Sequence, residues 1–175
     1  MNRILTSVCC LALAASAFGQ KKAEKAGGDQ QFVDMAAQTD MVEANLGQLA
    51  ATNADSQQVK DAAQTLVTDH TSDYTQLKTV AGQANLNVPT AIDAAHNKAM
   101  IDPFQKLQGQ SFDKKYVQDM IAGHEKAIAM YKKEAAAGQN EGLKSYAAAA
   151  LPVLQKHLDD AKELAKAKPA EKPAQ

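Results

Sequence analysis

Apolar side chains recur along most of this chain at three- and four-residue steps, the spacing that gathers them on one face of an α-helix. The clearest run is Val59 to Ala81, where Val59, Ala63, Leu66, His70, Tyr74, Leu77 and Ala81 share a face. From Gln30 to about Thr52 the stripe is Phe32, Ala36, Thr39, Glu43, Leu46 and Leu49 with Ala50. A third runs from Phe112 to Ala137 through Tyr116, Val117, Met120, His124, Ala127, Ile128 and Tyr131. The fourth, to about Lys166, is Leu143, Ala147, Ala150, Leu154, His157, Ala161 and Leu164. Four amphipathic helices of similar length predict an all-α four-helix bundle.

The breaks between stripes set the connections. Asn53 suits a left-handed residue after the first helix, and Asp55 or Ser56 caps the second, with Gln58 placed as in a capping box. So short a link makes these helices antiparallel neighbours. Asn85 to Gln110 differs, holding Pro89, Pro103 and Gly109 around one short helical pattern, Ala91 to about Met100 with Thr90 as its cap. It predicts a long crossover carrying a small helix, able to retrace a bundle helix of about 39 Å. Helices two and three then run parallel. Gly138 stops the third helix, Asn140 starts the fourth, and Pro152 inside the fourth predicts a bend.

The ends read differently. Residues 1–19 have the order of a secretory leader: Arg3, an apolar run from Ile4 to Ala14 too short for a bilayer, then small residues allowing cleavage near Ala17 or Gly19. Residues 20–29 read as a flexible lead-in, 30–166 as the bundle domain, and 167–175 (AKPAEKPAQ) as a disordered tail. Cys9 and Cys10 fall in the leader, so a processed chain has no thiol for disulfides or metal ligation. No later stretch is apolar for long enough to span a membrane, and none alternates like a barrel strand. The expected product is exported, periplasmic or secreted, and not an integral outer-membrane barrel.

Composition supports helices: hydrophobic residues are 45 %, aromatics only 5 %, and Trp is absent. The net charge of −1 with mixed signs gives no basic stripe for nucleic acid. There is no Gly-rich phosphate loop, serine nucleophile motif or zincin HExxH. The sequence names no protein partner.

Each stripe has one ionisable side chain where an apolar one is expected: Glu43, His70, His124 and His157. All lie within about 6 Å of mid-helix along the axis, so they converge on one layer of the core. Three imidazoles and a carboxylate are a ligand set for one transition-metal ion, Zn, Cu or Fe. The plainer alternative is a set of core histidines bonded to carboxylates. In that case Glu43 pairs with an imidazole, because a buried unpaired charge is costly. Asp73 and Asp160, one turn beyond His70 and His157, are candidates for orienting the rings. Asp69 and Glu125 adjoin histidines in sequence and so point about 100° away. His96 falls in the crossover and is expected to be exposed. Tyr74, Tyr116, Tyr131 and Tyr146 read as core edge.

Several motifs together resemble a known family. Val59-Lys60, Leu66-Val67 and Asp69-His70-Thr71, Phe112-Asp113 with Tyr116, His124, and Leu151-Pro152 followed by His157-Leu158 are similar to exported bacterial ferritin-like proteins of unknown function. This is domain of unknown function 4142, often labelled "predicted outer membrane protein". The resemblance covers about Phe32 to Leu164. It implies a ferritin-like bundle with a long crossover and no established activity. The chain departs from di-iron ferritins, which carry Glu-x-x-His on two helices and Glu on the others. Val67 and Leu154 stand three before His70 and His157, and helix three offers His124. The functional expectation is therefore a binding protein for a single metal ion. The alternatives are a metal-dependent oxidoreductase or peroxide-protection enzyme, and a structural envelope protein with no ligand.

Overall fold

The computed structural model describes residues 15–167, with side chains from Gly27 onward. The expected leader up to residue 14 and the expected tail beyond residue 167 lie outside them. Four long helices, α1 (Ala15–Asn53), α2 (Gln57–Gln83), α4 (Gly109–Ala137) and α5 (Glu141–Lys166), form the bundle. Between α2 and α4 the crossover carries α3 (Ala94–His96), extended by a π turn, Asn97–Ile101, and a 3₁₀ turn, Asp102–Phe104. Among the described residues no helix is long and apolar enough to cross a membrane.

The main pairs are α1 with α2 and α4 with α5, and α1–α4 and α2–α5 contacts close the square. Two aspartates fix the ends. Asp113, in the first turns of α4, accepts the N–H groups of Asp55 and Ser56 at 3.1 and 2.8 Å. Asp29 on α1 accepts those of Gln139 and Asn140, both at 2.9 Å, in the α4–α5 link. The starts of α2 and α4 therefore share one end of the bundle, and these two helices run parallel, as a long crossover requires.

Local chemistry sets the boundaries. Ser56 caps α2, its side chain accepting from Val59 N–H, and Asn140 caps α5, accepting from Leu143 N–H. The left-handed residue is Asn85 (φ 56°), not Asn53. Leu86 N–H reaches the Ala81 carbonyl and Asn85 N–H the Gly82 carbonyl, the paired bonds that close a helix around a left-handed residue. Asn53 stays helical and donates to the Leu107 carbonyl at 3.1 Å, tying down the crossover. The crossover helix starts at Ala94, later than expected, because Asp93 rather than Thr90 caps it, accepting from His96 N–H at 2.8 Å. Two glutamines of α1 bind the segment before it. Gln30 exchanges both its amide groups with the backbone of Asn87, and Gln38 does so with Ala91 and Asp93.

Two expectations about α1 change. The helix runs through residues 20–29, where a flexible lead-in was expected, and its Asp29 is buried. The buried face keeps Phe32, Ala36, Glu43, Leu46 and Ala50 as expected, but takes in Asp40 in place of Thr39. Asp40 is 2 % exposed and Thr39 is only partly buried, because 3.6-residue periodicity carries the face from Ala36 to Asp40 and then to Glu43. α1 and α2 approach closely at Gly47, where a Cβ would lie 2.5 Å from Val67 Cγ2 and 2.9 Å from the Ala63 carbonyl oxygen.

The apolar core is two clusters rather than one. One gathers around Phe32, Leu77, Tyr131 and Leu143, the other around Leu46, Phe104, Phe112 and Tyr116. Between them lies a buried polar layer of Asp40, Glu43, His70, His124 and His157. Pro152 sits within α5 at an exposed position.

Candidate metal centre

All four residues read from the stripes are buried: Glu43 2 %, His70 3 %, His124 2 % and His157 5 % exposed. The structure brings three of them together. His70, His124 and His157 each offer a ring nitrogen within 4.8 Å of the others. Their ring centroids are 5.3–5.7 Å apart. Glu43 shares the layer but lies outside that converging group, and the expected bond from Glu43 to an imidazole is not formed.

What orients the rings differs from expectation. Asp40 Oδ1 accepts from His70 Nδ1 at 2.8 Å, taking the role assigned to Glu43 from one turn earlier on α1. Asp69 Oδ2 accepts from His157 Nε2 at 2.8 Å. Asp69 does point away from His70 on α2, and for that reason it reaches the neighbouring α5. His124 Nδ1 donates to the Met120 carbonyl at 2.8 Å, one turn back on its own helix. Asp73 and Asp160 do not touch the rings. Asp73 accepts from the hydroxyls of Tyr131 and Tyr146, and Asp160 pairs with Lys156. His96 pairs with Asp93 at 2.8 Å in the crossover, its side chain 36 % exposed.

The protons follow from these partners. A carbonyl can only accept, so His124 carries its hydrogen on Nδ1. A carboxylate draws the hydrogen of His157 to Nε2 and that of His70 to Nδ1. In the neutral rings the three remaining nitrogens, His70 Nε2, His124 Nε2 and His157 Nδ1, are bare lone pairs. His124 Nε2 and His157 Nδ1 face each other at 3.3 Å. His70 Nε2 is buried without a hydrogen-bond partner. Burial, reinforced by His70 nearby, pushes His124 down to about 4, and burial also lowers His157, so neither ring carries an extra proton at neutral pH. Lone pairs repel across such a gap unless a cation lies among them. The 3.3 Å separation matches the edge of a tetrahedron whose metal–nitrogen bonds are about 2.0–2.1 Å.

Glu43 places a carboxyl at the side of this group. Burial raises its carboxyl to about 7, and Oε2 is unpartnered. Asp40 is raised well above the usual carboxylate range, chiefly by burial, with Asp73 adding to it. Four of the buried unpartnered side-chain atoms belong to this region: Asp40 Oδ2, Glu43 Oε2, His70 Nε2 and the hydroxyl of Tyr116. Sequence periodicity located the histidines. It missed Asp40, because a three-residue step from Ala36 selects Thr39 where the helix buries the four-residue step, and Asp69, because its partner lies on another helix.

The profile of the family described as "Domain of unknown function (DUF4142)" matches residues 14–164, and the chain belongs to that family. No curated protein matches it. Solved structures with a similar fold include CopM in the Cu(I)-bound form, 18 % identical, with a TM-score of 0.65 over 79 % of this chain and 95 % of that one. CopM in the Cu(II)-bound form gives 17 % identity and a TM-score of 0.65, and the Ag-bound form 17 % and 0.61, with the same coverage.

Proposed function

We propose that this member of the DUF4142 family holds one transition-metal ion, copper in particular, in the core of its bundle through His70, His124 and His157. The observation that carries the reading is the set of three inward lone pairs, each fixed by an acceptor on the outer nitrogen of its ring. Orientation of ligand histidines by such outer bonds is the usual arrangement in metal sites, where it sets the tautomer and raises ligand basicity. Imidazole suits Cu, Zn and Fe alike, so donor type alone does not choose among them. The shared fold with CopM, solved with Cu(I), Cu(II) and Ag, favours copper. Glu43 supplies charge beside the ion, and Asp40 and Asp69 position the rings. The leader-like order of residues 1–19 supports action outside the cytoplasm, with cleavage near Ala17 or Gly19, and mass spectrometry of the exported product tests this.

Calorimetric titration of the purified protein with Cu(II), Ag(I) and Zn(II) is the central experiment. One equivalent should bind with sub-micromolar affinity, and His124→Ala should bind none. Wild-type protein with no saturable site tighter than micromolar refutes the reading.

A further inference from the structure

A cleft of about 180 Å³ opens between α2 and α5 beside the three histidines. His70 and His157, both buried, line it, together with Asp69, Asp73, Tyr146 and the 44 % exposed Val153. Asp69 is 39 % exposed yet holds His157 through Oδ2, so one carboxylate spans from solvent to a ring of the triad. Asp73 is fixed from behind: the hydroxyls of Tyr131 and Tyr146 donate to its Oδ2 at 3.1 and 2.7 Å, leaving Oδ1 free of these bonds. One turn apart on α2, the two aspartates flank the passage, and among the described residues no Lys or Arg lines it. An independent feature marks its inner end. His70, 3 % exposed, borders the cleft with Nε2 unpartnered.

We propose that this cleft is the entrance by which a free transition-metal cation reaches the triad from solution, with Asp69 and Asp73 as the carboxylates that draw it in; this rests on the metal-binding reading above. Two negative groups at the mouth of a low-dielectric passage concentrate cations and speed association. Ordered carboxylate oxygens also replace water step by step as the ion loses its hydration shell. Small side chains at Ala149 and Ala150 keep the α5 wall low and the passage open to an ion.

The test is the rate of loading. Stopped-flow quenching of tyrosine fluorescence by Cu(II) follows uptake, since the chain has four Tyr and no Trp. Val153→Lys places a positive charge at the rim, and Asp73→Asn removes a negative one while keeping an acceptor for the tyrosines. Each should slow uptake about fivefold at low ionic strength, with the difference shrinking as salt is added. Equilibrium affinity should stay within about threefold, since neither residue is a ligand or bonds to a ligand ring. Met35→Lys, at a 47 % exposed position on α1 that borders a different groove, is the control of equal charge and should load like wild type. If wild type fills a saturable site and all three variants load at its rate, the entrance is elsewhere and only this proposal falls. Equal slowing by all three overturns it as well, by showing an effect of net charge alone. If wild type has no saturable site, the metal reading falls and the entrance with it.

Discussion

His124 Nε2 and His157 Nδ1 lie 3.3 Å apart with no hydrogen between them, because each ring has committed its proton to the opposite side. Such a pair is stable when something positive joins it. Bound metal should therefore raise the stability of the whole bundle, by about 4 kcal/mol when free metal is a thousandfold above its dissociation constant. Thermal unfolding without metal and with Cu(II) in excess, at a free concentration about a thousandfold above the dissociation constant, measures this. An unchanged transition would count against the site.

Asp69→Asn should weaken metal binding about 10–100-fold, because an amide holds the His157 tautomer less firmly than a carboxylate. Asp160→Asn, at the carboxylate expected from sequence to do that work, should change nothing, since Asp160 is engaged with Lys156. Parallel titrations of the two variants decide between them.

The pH dependence has a definite sign. Burial lowers both His124, to about 4, and His157, so between the ordinary histidine range and about 4 the unfolded chain binds more protons than the folded one. The share of metal-free stability carried by these two rings should then fall as pH drops from about 6.5 towards 4. The raised carboxyls of Glu43 and Asp40 contribute in the opposite sense, so this share is read as the difference between wild type and His124→Ala. Metal binding should persist below pH 6 and fail nearer 4, as protons compete for the lone pairs. Urea unfolding and metal competition across this range check both statements.

Glu134 gives the opposite trend at the far end of the bundle. Burial, with Asp29 beside it, raises its carboxyl from 4.5 to about 7, so the stability tied to its protonated form is full below 4.5 and lost as pH rises towards 7. Glu134→Gln should stabilise the protein at pH 8 by on the order of 1–2 kcal/mol and leave it unchanged at pH 4. Denaturant midpoints at the two pH values are the measurement.

Close packing of α1 on α2 predicts that Gly47→Ala destabilises the bundle by about 1–3 kcal/mol, since the new methyl meets a carbonyl oxygen that cannot move alone. Gly82→Ala, where a Cβ meets nothing within 4 Å, should be neutral or stabilising.

The number of helices, the crossover and the three histidines were legible because each is written in local periodicity or in turn residues. Ser56 and Asn140 could be read as caps for the same reason: a cap acts within three residues of itself. Asp40 and Asp69 were not legible. Their partners lie 30 and 88 positions away, and only the angle at which two helices meet decides which carboxylate faces which ring. Asn53 and Asn85 show the same limit. Both suit a left-handed end, and tertiary bonding to the Leu107 carbonyl keeps Asn53 helical.

The glutamine clamps of α1 have a kinetic meaning. Gln30 and Gln38 hold the crossover through contacts spanning 53–57 residues, so the crossover gains order only after α1 and α2 have closed a long loop. It should be the last segment to fold and the first to open. The Asn87 and Asp93 amides would then exchange with solvent through a partial opening that leaves the helix pairs intact.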